Sequence, residues 1–188
     1  MLETPLYRYC PMCGQELVTK RPQADNRLRQ MCEHCGFIRY VNPLPIVGTV
    51  PILDGKVLLC RRAIEPRKGF WTLPAGFMEG YETLKEGAAR ETLEETGEEV
   101  RVGDLLTIID VPDANQVHFF FRAELQDING VPGEETLEQR LFSEEEIPWD
   151  MLSFTTVKTT LRHYFEDFHS GKFELHTWVI TDLCENNT

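Results

Sequence analysis

Glu91, Glu94 and Glu95 follow Arg90 within six residues of one another. On a helix, where successive side chains turn by about 100°, the three carboxylates fall within an arc of roughly 100° and share one edge. Glu91 and Glu95 stand four apart, which sets like charges side by side and mildly destabilises an isolated helix. A divalent cation reverses that sign. Magnesium, or manganese, suits carboxylates combined with substrate phosphates, because such ions prefer oxygen ligands and magnesium keeps several waters. Arg90 lies four residues before Glu94, so it can pair with that carboxylate and orient it. A solvated acidic helix face is the alternative for these residues. A second constellation is Cys10-x2-Cys13-Gly14 and Cys32-x2-Cys35-Gly36, with 18 residues between the pairs. Two such knuckles are the spacing of a four-cysteine zinc site. The glycine after each second cysteine suits a tight knuckle. Four cysteines complete a tetrahedron, so His34 is expected to be exposed rather than a ligand.

The elements that position the carboxylates are legible around them. Thr83 followed by Glu86 makes a capping box that starts a helix near Thr83, and Gly97 ends it. Thr92, Ala88, Ala89 and Leu93 are expected to form its apolar arc against a sheet. Leu73-Pro74-Ala75-Gly76 ahead of it reads as a tight turn, where glycine lets backbone approach a ligand.

The full spacing, Gly76-x5-Glu82-x7-Arg90-Glu91-Thr92-x-Glu94-Glu95-x-Gly97-Glu98, spans 23 residues and resembles the Nudix box. Every acidic, basic and glycine position is filled. Thr92 and Glu98 stand where that family carries Leu, Ile or Val, positions that concern packing rather than chemistry. The resemblance implies a Nudix α/β/α sandwich with a mixed sheet over residues 43–188, preceded by a four-cysteine zinc ribbon over residues 1–42. It further implies that Glu91, Glu95 and Glu94, with the carbonyl of Ala75, hold magnesium. Glu82 would brace the loop. The general base would come from the box or from the later loop Gly133-Glu134-Glu135-Thr136-Leu137-Glu138, where Glu135 and Glu138 are candidates and a solvated acidic loop is the alternative.

The ribbon before the domain is similar to that of the NADH pyrophosphatases, but their Ser-Gln-Pro-Trp-Pro-Phe-Pro array is absent. The corresponding region is Asp110-Val111-Pro112-Asp113-Ala114-Asn115-Gln116, and Pro112 follows Gly97 by 15 residues, nearer the pattern of ADP-ribose pyrophosphatases. Both knuckles, Asn42-Pro43, Trp71 to Gly76, Asp110 to Pro112, Glu138-x-Arg140-Leu141-Phe142 and Glu146-Ile147-Pro148 resemble the FAD and ADP-ribose pyrophosphatases of plant chloroplasts and their bacterial relatives. Hydrolysis of FAD or ADP-ribose at the pyrophosphate is the implied reaction. An NADH pyrophosphatase is an alternative, and so is a non-catalytic sensor of ADP-ribose-like ligands. Arg61, Arg62 and Lys68 could meet phosphates, and Phe70, Trp71 and Phe77 could stack on a base or pack in the core.

Net charge narrows the partners. The 188 residues carry −12, and the segment from Glu79 to Glu99 holds eight Glu against Lys85 and Arg90. Such a surface repels nucleic-acid phosphates and accepts an anionic substrate only through cations. The first 40 residues hold six Lys or Arg against four Asp or Glu, and four thiolates with one zinc add −2. The ribbon is thus no basic clamp, and no nucleic-acid partner is expected; covering the catalytic domain or forming a homodimer are the roles left. No apolar run of about 18 residues suggests a membrane span. Met1 to Pro5 lacks the pattern of a secretory signal, so a cytoplasmic, thiol-reducing location is expected.

Elsewhere, Ile46 to Leu53 and Lys56 to Arg62 read as strands of a hairpin turned by Asp54-Gly55. Leu105 to Ile109, Val117 to Leu125 and Gln139 to Phe142 are further strands. Phe154, Val157, Leu161, Tyr164, Phe165 and Phe168 recur at helical spacing, and Ser170-Gly171 closes that helix. Phe173 to Ile180 alternates like an edge or dimer-forming strand. Cys60 belongs to the core, and Cys184 is expected as a free surface thiol.

Overall fold

In the computed structural model, residues 7–181 and 183 are described; Cys184 lies outside them. The chain forms two compact units, Met1–Asn42 and Pro43–Thr188.

The first unit is an antiparallel sheet of three short strands, β1 (Val18–Lys20), β2 (Arg29–Met31) and β3 (Ile38–Arg39). Its knuckles close locally. Gly14 and Gly36 adopt left-handed φ of 74° and 76°, and their N–H groups bond the carbonyls of Cys10 and Cys32, each at 2.9 Å.

The second unit is built on one mixed sheet. Its strands are β4 (Leu44–Leu53), β5 (Lys56–Arg62), β6 (Trp71–Thr72), β7 (Ala75–Phe77), β8 (Val100–Val111), β9 (Gln116–Leu125), β10 (Thr136–Phe142) and β11 (His176–Val179). The order is β10-β5-β4-β9-β8-β11, with β6 beside β5 and β7 beside β4. The pairs β4–β9 and β8–β11 are parallel and the others antiparallel. The β4–β5 hairpin turns through Asp54 and Gly55 at φ of 49° and 76°, two successive left-handed residues as its tight turn needs.

Side chains alternate across the sheet, so Val47 and Phe121 face α1 (Leu84–Thr96) while Val50 and Phe120 face α2 (Thr155–Ser170). The larger core is on the α2 side, where Leu161, Tyr164 and Phe165 pack against Val57, Leu59 and Phe142. Each such fully buried side chain contributes about 1.5–3 kcal/mol. Helix–sheet–helix layers are the sandwich the sequence implied. Cys60 is buried as expected.

Two expectations need correction. The buried stripe of α1 is Gly87, Ala88, Thr92 and Thr96, whereas Leu93 is 45% exposed. Small residues spaced by four let the helix settle against β4, and Leu93 lies one residue off that stripe. The 173–180 segment narrows to β11, an edge strand lying parallel to β8, because Phe173 and Leu175 precede the ladder.

Thr92 explains how helix and sheet dock without the usual aliphatic residue. Its hydroxyl lies 2.7 Å from the Ala88 carbonyl and 2.7 Å from the Thr49 hydroxyl of β4. With Thr92 donating to Ala88, its lone pairs accept the Thr49 hydroxyl. Both side chains are fully buried, and neither is left unsatisfied.

Candidate active site

Three segments converge at one end of α1. The helix begins as the capping box foretold: Thr83 Oγ1 accepts the Glu86 N–H at 3.3 Å, and Glu86 Oε2 accepts the Thr83 N–H at 2.7 Å. It ends on Gly97, left-handed at φ 71°, whose N–H bonds the Leu93 carbonyl. Ahead of it, β7 pairs with β4 in the register Val47↔Gly76 and Gly48↔Ala75, which presses the turn against the helix. A Cβ on Gly76 would lie 2.3 Å from Glu91 Oε2 and would push that carboxylate out of its present place. The Ala75 N–H lies near the Glu95 carboxylate and favours its charged form.

Arg90 is the hub of the cluster. Its Nε and Nη2 hold the two oxygens of Glu82 at 3.0 and 2.7 Å, and Nη2 also reaches the Phe77 carbonyl at 3.1 Å. Nη1 donates to Glu91 Oε1 at 2.7 Å and to Glu94 Oε2 at 3.1 Å. Glu82 Oε1 accepts the Glu79 N–H at 2.7 Å, so that carboxylate ties the loop to the arginine. Arg90 therefore braces three carboxylates and the turn at once, a wider task than orienting Glu94. It holds Glu82 below the usual carboxylate range. Burial pushes Glu91 upward against the pull of Arg90. Burial pushes Glu95 up to about 8, with the Glu91 and Glu135 charges adding and Arg62 opposing.

These groups open onto a cleft of about 350 Å³ lined by Ala75, Gly76, Phe77, Glu79, Arg90, Glu91, Glu94, Glu95 and Glu135. Of the two loop candidates, Glu135 is in the cleft; Glu138 points along β10 to Arg61, 3.6 Å away. Arg61 also donates to the Gly69 carbonyl, while Arg62 braces the Pro66 carbonyl and stacks over Phe154. Neither these nor Lys68 lines the cleft. Among the aromatics, Phe77 lines it and is half exposed, whereas Trp71 packs edge-on against Phe142 at 4.9 Å in the core. Glu98, read as a packing position, is instead a buried carboxylate whose Oε1 accepts the Gly130 N–H at 2.6 Å. Its departure from the aliphatic pattern was the signal that could have found it.

Oxygen donors in an open, acidic cleft fit a hard cation. They do not form a closed cage: among the described residues, only the four cysteines bring three or more potential ligand atoms within 4.8 Å of one another. Magnesium retains waters and takes substrate phosphates, so an open set is the arrangement that fits it.

The ribbon is closed by contrast. Cys10 and Cys35 sulfurs lie 3.6 Å apart and those of Cys13 and Cys32 3.5 Å apart. Zinc–sulfur bonds of about 2.3 Å at tetrahedral angles call for sulfurs roughly 3.8 Å apart, so the four thiols fit that ion. The backbone N–H groups of Cys35 and His34 and the Cys13 side chain pull the Cys32 thiol down, while burial and the neighbouring sulfurs hold Cys13 and Cys35 up, so the four thiols share negative charge unequally. His34 is exposed, as expected.

Comparison with known proteins agrees with both units. Residues 43–168 match the NUDIX domain, and residues 8–41 match the Nudix N-terminal zinc ribbon. A crystal structure of a NUDIX hydrolase from Nitrosomonas europaea is 45% identical, covers 94% of this chain and 100% of its own, and superposes with a TM-score of 0.90. An ADP-ribose pyrophosphatase of Methanocaldococcus jannaschii is 40% identical over 74 residues, 39% of this chain and 44% of the relative. The NAD-capped RNA hydrolase NudC of Vibrio parahaemolyticus is 32% identical over 98 residues, 52% of this chain and 36% of the relative. The chain thus spans less than half the length of these curated relatives. No helix among the described residues is long and apolar enough to cross a membrane. With the box helix, its cleft, the sandwich around them and the four-cysteine ribbon in agreement, the chain belongs to the Nudix family and carries that family's N-terminal zinc ribbon.

Proposed function

We propose that this protein hydrolyses the pyrophosphate linkage of a nucleoside diphosphate derivative, with ADP-ribose or FAD as substrate and magnesium or manganese as the required ion. The observation that carries this reading is the open carboxylate cleft: Glu91 against Gly76, Glu95 against Ala75, and Arg90 bracing both Glu91 and Glu94. Glu91, Glu95 and Glu94, with the Ala75 carbonyl, would hold the ion. When bound, it neutralises the diphosphate and lowers the pKa of the attacking water. Without it the cleft repels an anionic substrate. Arg90 keeps the carboxylates spread and oriented rather than touching phosphate, since its guanidinium is already engaged with Glu82, Glu91, Glu94 and the Phe77 carbonyl. Glu135 faces the same cleft from a different segment and is the candidate to take the proton of the attacking water. Water adds to one phosphorus, the bridging P–O bond breaks, and two monophosphates leave, AMP and ribose 5-phosphate from ADP-ribose. Phe77, which lines the cleft and is half exposed, would contact the nucleoside.

A second substrate class, an NAD-type RNA cap, is favoured by the similarity to the Vibrio NAD-capped RNA hydrolase, and NADH carries the same pyrophosphate linkage. The acidic charge of this chain opposes the RNA form. A sensor role is opposed by retention of every box carboxylate. Incubation with FAD, ADP-ribose, NADH and capped RNA plus magnesium, with products separated by chromatography, decides among them. ADP-ribose or FAD should show the highest kcat/KM. A preference for NADH or the cap by tenfold, about 1.4 kcal/mol of transition-state binding, overturns the substrate assignment. No hydrolysis of any of them with either ion overturns the enzyme reading.

A further inference from the structure

We propose that Glu98 is a positioning residue that ties the segment 126–135 to the end of α1 and thereby holds Glu135 in the cleft; this rests on the role given to Glu135 above. The chain leaves the helix through a fixed turn. The Thr96 hydroxyl lies 2.6 Å from the Thr92 carbonyl and accepts the Glu98 N–H at 3.0 Å, which points the Glu98 side chain back inside, where 5% of the residue is exposed. There its Oε1 accepts the Gly130 N–H at 2.6 Å. A hydrogen bond to a carboxylate is roughly twice as strong as a neutral one, so Glu98 holds the half-buried Gly130 N–H more firmly than a neutral acceptor would. An aliphatic residue at this position would fill space and leave Gly130 unpaired.

The rest of the segment shows that the tie closes a backbone-to-backbone contact. The Gly133 N–H bonds the Glu95 carbonyl at 3.1 Å, and Gln139 Nε2 donates to the Gly130 carbonyl at 3.1 Å. A Cβ on Gly130 would stand 2.4 Å from the Gly97 oxygen, and one on Gly133 2.1 Å from the Glu94 oxygen. Only glycines admit so close an approach. Two residues beyond Gly133, Glu135 reaches the cleft, and its carbonyl accepts the Ala63 N–H at 2.8 Å. Glu135 is thus held from both sides: by Ala63, the residue after β5, and through Gly133 and Gly130 by Glu95 of the box helix and Glu98 just beyond it.

The test is a double-mutant cycle with magnesium and the fastest-cleaved of ADP-ribose, FAD and NADH. Glu135→Gln should lower kcat by about 100-fold or more, as loss of a general base does. Glu98→Val should lower kcat by about tenfold or more while KM changes less than twofold, and add less than twofold in the Glu135→Gln background. Glu98→Gln, which keeps a carbonyl acceptor, should stay within about threefold of the parent. Gly130→Ala breaks the same contact with Glu98 intact, so it should reproduce the Glu98→Val loss and its dependence on Glu135. A full multiplicative loss in the double variant, or unchanged kcat in both Glu98→Val and Gly130→Ala, overturns the positioning role. Unchanged kcat in Glu135→Gln alone overturns the base assignment and with it the role of Glu98.

Discussion

In the ribbon, four thiols sit on two turns that each close within five residues, and their sulfurs already stand at zinc-binding separations. In the cleft, carboxylates from the box helix and from the loop before β10 meet around a turn from β7, and no three ligand atoms among the described residues draw together. The difference fits the ions assigned to them: a structural zinc in the ribbon and, as proposed above, magnesium in the cleft. A structural zinc takes all its ligands from the protein and supplies the folding energy of a unit too small to build a core. A hydrolytic magnesium must leave room for water and phosphate, so its ligands are held apart by a scaffold that is stable without it. Here Arg90 and the glycine contacts of Gly76 supply that scaffold.

The largest effect should come from removing zinc. Apparent zinc-binding energies of about 10–16 kcal/mol are folding energies for such modules, so a Cys32→Ser chain should lose the ribbon's ordered amide signals by NMR. Elemental analysis of dialysed protein should give one zinc per chain. Absence of zinc together with four free thiols among Cys10, Cys13, Cys32 and Cys35 would remove the closed half of the comparison.

Next is Glu95→Gln, which should cut turnover by roughly 100-fold or more with the circular dichroism spectrum unchanged, because it deletes charge from the open site without touching the scaffold. Near-parent kcat at saturating magnesium would refute the ligand assignment.

The same carboxylate should leave a pH signature in magnesium-free protein. Its folded pKa is raised from 4.5 to about 8, so between those values the folded chain holds a proton that the unfolded chain has released. Stability contributed by the neutral form is complete below about pH 4.5 and falls as pH rises toward 8, by up to about 1 kcal/mol per unit. Melting temperatures of parent and Glu95→Gln should diverge across this window, the variant becoming the more stable. Parallel curves from pH 5 to 9 would contradict the buried, crowded setting of Glu95.

Smallest is the dock between helix and sheet. Thr92→Val leaves the buried Thr49 hydroxyl without its partner and should cost about 1 kcal/mol in denaturant unfolding of the second unit. Adding Thr49→Val should recover most of it. If Thr92→Val alone stabilises the protein, the hydroxyl pair is not what holds the box helix in place.

Chemistry that rests on local geometry was readable before any fold was known. The capping box of Thr83 and Glu86, the Gly97 stop, the shared edge of Glu91, Glu94 and Glu95, and the two cysteine knuckles each depend on residues a few positions apart, where helix pitch and turn sterics dictate the outcome. The sandwich followed from strand and helix periodicities together with the resemblance of the box. Contacts between distant segments were not readable. The side of α1 that is buried is the one whose small residues meet β4 and β9, among them Thr92 against Thr49, 43 residues away, and so Leu93 came out exposed. Whether Glu135 or Glu138 enters the cleft depended on glycines at 97, 130 and 133 allowing one backbone to lie on another, and on Glu98 reaching across 32 residues to Gly130. Sequence spacing sets which groups share one element; only packing, through close approach and the demand that buried polar groups find partners, sets which elements share one site.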